Sequence, residues 1–355
     1  TGEIKAAREL YRAAIDKNQY VDYESRLEYF EFERRHGERT QALAAYDQLR
    51  NEGFGADILA RQRLSLFLAY PGAPWQWRDV AGLLMFLGLL LVLAALPALA
   101  VVTIHYRGLA RRARGLAPNN ASPAWTLRHA WYALGIFTAG GAIALYVFSP
   151  APLEMMLPWS MRLKADSTDI ELGHQLLGMC VLALLLALPL LRGRPIKQIL
   201  VGRWSIFRSI FTGVGLAIAL KCVAIIVHLG VQATGVLGND TMRAMQGAHQ
   251  SFGMFGMLLI VAVAVPFAEE LVFRGVLLEA FRGQVTFVFA TIVQAVFFAA
   301  SHESPADMPT LFVFGLLAGW LAKRSEGLLA PMAMHSAFNL TAALTVVGVT
   351  SILNR

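Results

Sequence analysis

Residues 266–275 read Pro-Phe-Ala-Glu-Glu-Leu-Val-Phe-Arg-Gly. They lie inside a hydrophobic stretch that runs from about Met254 through Phe281. Two adjacent carboxylates, Glu269 and Glu270, and the guanidinium of Arg274 therefore sit at membrane depth. Each such charge costs roughly 2.5–3.5 kcal/mol on an insertion scale, so a cluster of them points to function. Helical spacing divides their work. Glu270 and Arg274 are i,i+4, share a face and can pair. Glu269 lies about 140° round from Arg274, at about 100° per residue, and is left to face a cavity. Pro266 has no N–H to give Ala262, which predicts a kink just before the carboxylates. Gly275 allows close approach of a neighbouring backbone.

The surrounding composition fits that depth. Of 355 residues, 56% are hydrophobic and only 15% charged, unlike an ordinary soluble domain. Several runs exceed the ~18 apolar residues that cross a bilayer. The fold class read from this is all-α: a polytopic helical membrane protein of about eight transmembrane helices, with a small helical extramembrane region at its N-terminus. The net charge of +7 is assigned to basic cytoplasmic loops, and no nucleic-acid partner is expected. Cys180 and Cys222 both fall in apolar runs, so no disulfide framework is indicated. The start, Thr-Gly-Glu without Met, reads as trimmed.

Three regions follow: 1–70, 71–205 and 206–355. Residues 1–70 predict helices over Glu3–Lys17, Tyr23–Arg35, Arg39–Asn51 and Ala56–Phe67, with Gly37 and Gly53 as stops. Ala7-Arg-Glu-Leu-Tyr11 and Ala42-Leu-Ala-Ala-Tyr46 are about 35 residues apart, near the ~34 of helical-hairpin repeats. The region resembles tetratricopeptide or half-tetratricopeptide repeats and would suit a protein partner; the plain alternative is a helical juxtamembrane segment. Pro71-Gly72-Ala73-Pro74 breaks the chain, and Trp75 and Trp77 read as interfacial anchors. Accessory spans are expected at about 81–104, 130–148 and 172–191. Arg107, Arg111, Arg112, Arg114 and Arg128, with no acid among them, mark a cytoplasmic loop. The mixed loop Ser149–Glu171 is expected on the far side. Further spans are expected at about 210–229, at the opening stretch, and at about 286–301, 309–321 and 328–349. Eight spans would put both termini outside the cytoplasm, which requires an upstream signal or one span fewer. Gly315 and Gly319 form a small-residue packing face. Lys221 either partners a carboxylate or lines a wet crevice, and His174 and His228 read as interfacial histidines.

Two polar sets complete a constellation with the carboxylates. The sixth span ends Phe298-x-x-x-His302, and the eighth contains His335-x-x-x-Asn339. A carboxylate, two imidazoles and an amide in one cavity are the parts of a hydrolytic site. Glu269 can take a proton from water, His302 can hold that water, and His335 and Asn339 can donate to an oxyanion. Together with Glu269-Glu270-x-x-x-Arg274, these motifs resemble the CAAX-protease and bacteriocin-processing family, also called the Abi family, over about Arg208–Val349. That resemblance implies an intramembrane endopeptidase. Glu269 and His302 would activate water, His335 and Asn339 would form the oxyanion hole, and Glu270 and Arg274 would brace the site. It also implies a membrane-associated protein or peptide as substrate, and a multi-pass location in a bacterial cytoplasmic membrane.

Glu269, His302 and His335 could alternatively hold zinc. A His-Glu-x-x-His helix is absent, because His302-Glu303 is followed by Ser304-Pro305-Ala306. The expectation is a metal-free glutamate mechanism with no cofactor, zinc being the alternative. Two other function classes compete: a proton-coupled transporter, which would want internal inverted repeats, and a membrane scaffold that recruits a partner through residues 1–70.

Overall fold

A computed structural model describes residues 2–17, 23–51, 56–116, 124–148, 169–232, 240–302 and 307–353. The Gly53 stop, the loop over 149–168, residues 303–306 and the side chain of His228 lie outside the described residues. The described chain is helical, with no strand. Its helices are α1 Gly2–Lys17, α2 Tyr23–His36, α3 Arg39–Asn51, α4 Ala56–Ala69, α5 Trp77–Ala95, α6 Pro97–Ala113, α7 Leu127–Phe148 and α8 Asp169–Leu191. After them come α9 Ile196–Val201, α10 Ile206–Gln232, α11 Asp240–Leu259, α12 Val265–Glu270, α13 Leu278–Arg282, α14 Phe287–Ala300, α15 Met308–Ser325 and α16 Leu329–Leu353. Two π-helical stretches, Ile260–Ala264 and Leu271–Leu277, flank α12.

Residues 1–91 form one compact unit. Consecutive helices α1 to α4 pack on each other around Phe30, Ala42, Tyr46, Leu49 and Leu66. Their bounds follow the sequence pattern closely: α1 and α3 each carry an apolar stripe, and Gly37 ends α2. Arg8 of α1 clamps α2 with a fork of two bonds to Glu33, Nε to Oε1 at 2.6 Å and Nη2 to Oε2 at 2.9 Å. A second polar cluster holds the Pro71–Pro74 turn. Arg63 donates to the carbonyls of Ala73 at 2.7 Å and Pro74 at 3.0 Å, and its guanidinium lies 4.2 Å from the Trp75 ring centre. Asp79, in the first turn of α5, accepts from the Gln76 N–H at 2.9 Å, one half of a capping box. The Tyr46 hydroxyl donates to the other Asp79 oxygen. Arg63 and Asp79 are both buried.

The second unit runs from Val92 to the C-terminal end. Three helical runs in the described chain are long and apolar enough to cross a membrane: Asp79–Ala113, Ile206–Ile225 and Arg243–Arg282. Leu176–Leu191 and Phe287–Ala300 are shorter apolar helices. The first expected span lies inside the Asp79–Ala113 run, where α5 passes into α6 through Leu96, in helical conformation, and Pro97 opens α6. Proline is tolerated at a helix start, where its missing N–H has no intrahelical partner to lose. The stretch between the span expected at about 210–229 and the carboxylate-bearing one is helical from Asp240. The break falls instead at Gly253, whose φ of 69° and ψ of 177° suit glycine.

Within this unit α10 packs on α16, α8 on α7 and α11, and α14 on α15. The Gly315 and Gly319 face performs the packing role expected of it. A Cβ on Gly315 would lie 2.8 Å from Ala295, and one on Gly319 would lie 2.9 Å from Thr291. The two helices therefore approach backbone to backbone. The buried Gln294 uses that closeness, donating across to the Gly315 carbonyl at 2.8 Å.

Burial, reinforced by the Asp79 carboxylate, pushes the Tyr46 hydroxyl above its ordinary value of 10.0. A raised group keeps its proton in the folded chain where the unfolded chain loses it. Its contribution is therefore complete below about pH 10 and declines as pH rises further. Tyr46→Phe should cost about 1–3 kcal/mol at neutral pH by orphaning a buried Asp79 oxygen. It should also make the alkaline fall in stability shallower. Chemical unfolding of the detergent-solubilised chain on both sides of about pH 10 checks this; an unchanged alkaline slope in the variant would contradict it.

Candidate active site

The helix bearing the carboxylates changes winding twice. In the first π turn the Val265 N–H bonds to the Ile260 carbonyl, five residues back. In the second the Leu278 N–H bonds to the Phe273 carbonyl. Pro266, where a kink is expected, opens α12 directly after the first π turn, with helical backbone on both sides. Such π insertions are uncommon and concentrate at functional sites. Here they bracket Glu269 and Glu270.

Glu270 is the fixed point of the site. Its Oε1 accepts from Arg274 Nη1 at 2.8 Å and meets His335 Nδ1 of α16 at 2.8 Å. Neither Glu270 nor Arg274 is open to solvent. Arg274 finds few hydrogen-bond acceptors, since its Nε and Nη2 have no partner among the described residues. Aromatic faces stand in for them. The guanidinium carbon is 4.2 Å from the Phe298 ring centre, 5.6 Å from Phe314 and 6.0 Å from Phe273. A cation held over several aromatic faces recovers part of its lost hydration. Phe298 and Phe314 also stack on each other at 5.4 Å, and Phe314 meets the His335 ring edge-on at 5.0 Å. Phe314 and Phe273 were not singled out in the sequence. Their only signal is an aromatic residue on a small-residue helix and another beside Arg274.

Glu269 faces the other way, as its helical angle predicts. Its Oε2 lies 3.8 Å from His302 Nε2 and 3.8 Å from His335 Nε2. Both gaps are too long for a direct hydrogen bond, and Glu269 Oε2 has no other partner among the described residues. Each imidazole is oriented from behind. His302 Nδ1 is 2.8 Å from the Phe298 carbonyl, which can only accept, so Nδ1 carries the hydrogen and the neutral ring presents Nε2 as an acceptor. His335 Nδ1 donates to the Glu270 carboxylate in the same way. Its Nε2 is an acceptor in the neutral ring and a donor once the ring takes a second proton.

Asn339, one turn beyond His335, donates from Nδ2 to the Val261 carbonyl at 2.8 Å. One of its two amide hydrogens is thus committed to the first π turn. Lys221 is not drawn to the carboxylate pair; its Nζ sits 4.2 Å from the Phe338 ring centre. His174 meets Phe252 edge-on at 5.4 Å, an ordinary helix-packing contact.

The zinc alternative can be compared with this geometry. Ligand atoms about 2.0–2.1 Å from a tetrahedral zinc stand about 3.4 Å apart, closer than the 3.8 Å between Glu269 Oε2 and either imidazole. Among the described residues no group of three His, Cys, Asp or Glu side chains is placed to hold a metal ion.

Residues 251–341 match the family model described as type II CAAX prenyl endopeptidase Rce1-like. The matched stretch contains Glu269, Glu270, Arg274, His302, His335 and Asn339. The resemblance drawn from the three motifs holds there, starting later than the expected Arg208. An uncharacterized 24.3 kDa protein of Escherichia coli is 32% identical over 83 residues, which is 22% of this chain and 38% of that protein. No solved structure matches the chain. The apolar helices and the family match together mark a membrane protein with a CAAX-protease-like segment.

Removing Arg274 would leave Glu270 buried without its cationic partner, held by His335 alone. Such losses cost about 3–5 kcal/mol. Arg274→Ala should lower the unfolding free energy of the purified chain by that order. Arg274→Lys should recover little, because an ammonium cannot lie flat among the rings. Unfolding in a graded denaturing detergent measures both; full recovery by lysine would contradict the aromatic account.

Proposed function

We propose that this chain is an intramembrane endopeptidase of the glutamate type, with residues 251–341 as its catalytic core. The observation that supports the reading best is the convergence of one carboxylate oxygen and two oriented imidazole nitrogens, each 3.8 Å from it. That spacing is too wide for direct bonds and suits one water molecule at hydrogen-bond distance from all three. Glu269 takes a proton from the water, and His302, whose Nε2 points inward, holds the water for attack. The water oxygen adds to the peptide carbonyl carbon, and negative charge develops on the carbonyl oxygen. His335 Nε2, carrying a proton and backed by Glu270, donates to that oxygen, as does the second amide hydrogen of Asn339. The proton held by Glu269 passes to the leaving nitrogen as the C–N bond breaks. Glu270 and Arg274 hold His335 in place and take no part in bond changes.

The substrate class follows from location: a protein or peptide held at the membrane, in the cytoplasmic membrane of a bacterium. Helices α7, α8, α14, α15 and α16 complete about eight spans, and the helical hairpins of residues 1–70 offer a surface for a protein partner. The reaction runs without a metal.

Two measurements test this. Glu269→Gln and His302→Ala should each lower cleavage by about 100- to 10,000-fold or more while leaving the chain folded and inserted. Comparing protein termini in membranes from cells with the wild-type chain and with Glu269→Gln should reveal termini that only the wild type makes; identical termini would overturn the protease reading. Cleavage by the purified chain should persist after dialysis against a strong chelator. Loss of cleavage that zinc restores would overturn the metal-free mechanism.

A further inference from the structure

The bond between Asn339 and Val261 has a counterpart in the sequence of the π turn. Val261 is 1% exposed, so its carbonyl has little water to turn to and needs a protein donor. In this turn the Val265 N–H serves the carbonyl of Ile260. Advancing that register by one residue pairs the Val261 carbonyl with residue 266. Residue 266 is proline, which has no N–H. The donor found at that carbonyl is Asn339 Nδ2, at 2.8 Å, from a helix 78 positions along the chain.

We infer that Asn339 supplies the amide hydrogen that Pro266 lacks, and that this bond fixes the π register which aims Glu269 at His302 and His335. Asn339 is in this respect a positioning residue. It acts through the backbone of α12, where Glu269 lies three residues beyond Pro266. An α-register alternative would leave the Ala262 carbonyl facing the same proline, and a one-residue change of winding turns every later side chain by about 100°. Glu269 would then leave the two imidazoles. The arrangement also links the two ends of the site. His335 and Asn339 are i,i+4 on α16, so one helix face grips Glu270 with its first residue and the π turn with its second. The structural part of the inference stands on geometry alone; its catalytic consequence rests on the endopeptidase reading.

The test exploits what proline lacks. Pro266→Ala returns a backbone N–H at that position. The full chain is purified as wild type, Asn339→Ala, Pro266→Ala and the double variant. Asn339→Leu is added because it keeps the side-chain volume without the donor. Amide hydrogen exchange over residues 258–270 is read by mass spectrometry, and kcat and KM are measured on a peptide drawn from the termini comparison. Loss of one buried hydrogen bond should speed exchange in this stretch by roughly 10- to 100-fold in both Asn339 variants. In the double variant exchange should return close to that of Pro266→Ala alone, a non-additive rescue. The fall in kcat should recover in part, with KM little changed. An amide lost only from an oxyanion site could not be replaced by a backbone N–H at position 266. Additive effects in the double variant, or exchange unchanged in Asn339→Ala and Asn339→Leu, would overturn the inference. Recovered protection without any recovery of kcat would overturn the positioning role. A wild-type chain that cleaves nothing would sink the endopeptidase reading while the exchange arm still decides the bond.

Discussion

One carboxylate oxygen, Glu270 Oε1, receives both the Arg274 guanidinium and the His335 imidazole at 2.8 Å. Everything else about the polar centre depends on this shared acceptor. A buried carboxylate is costly by itself, and a buried guanidinium with two nitrogens unbonded among the described residues is costly as well. Their combination persists because each cost is met from a different source: the carboxylate by two donors, the guanidinium by three aromatic faces. Breaking any one contact exposes the cost of the others, which is why the cluster holds its geometry. His335 inherits that rigidity and hands it to the atom it turns outward, Nε2.

The second constraint is backbone winding. Two glutamates adjacent in sequence must point in different directions, one into the ion pair and one toward His302. A regular helix separates neighbours by about 100°, and the π turns on either side adjust where that separation falls. Proline at 266, the wide turn before it and the amide of Asn339 belong to one arrangement. Close approach of small residues elsewhere supports it. Gly315 and Gly319 let α15 press on α14, bringing Phe314 into contact with Phe298 and His335.

Much of this was legible in the sequence. Charges at membrane depth stood out because their cost is high, and the i,i+4 spacing of Glu270 with Arg274 anticipated their bond. The Gly315–Gly319 face and the four N-terminal helices were readable because their signals are local. What was not legible depends on partners far apart in the chain. Asn339 looked like a donor for chemistry, and nothing local revealed that Val261 would claim one of its hydrogens. Arg63 and Asp79 carry no signal in the sequence, and Tyr46 only its place in the repeat spacing, yet they form the buried staple beneath the Pro71–Pro74 turn. Gly253 is one of 30 glycines, and only its positive φ marks it as the break in α11. The π turns were invisible as well, because single i−5 turns are rare interruptions of an otherwise α-helical pattern.

The central claim is that Glu269 stands within single-water reach of both His302 and His335, and proximity can be measured without a substrate. Glu269→Cys is paired with His302→Cys or with His335→Cys in a chain whose Cys180 and Cys222 are serine. Each pair is treated in native membranes with a short bifunctional thiol-reactive cross-linker and read by mass spectrometry. Both pairs should become bridged within the same chain. Failure of both pairs to bridge, while each single cysteine still reacts with a monofunctional reagent, would contradict the account.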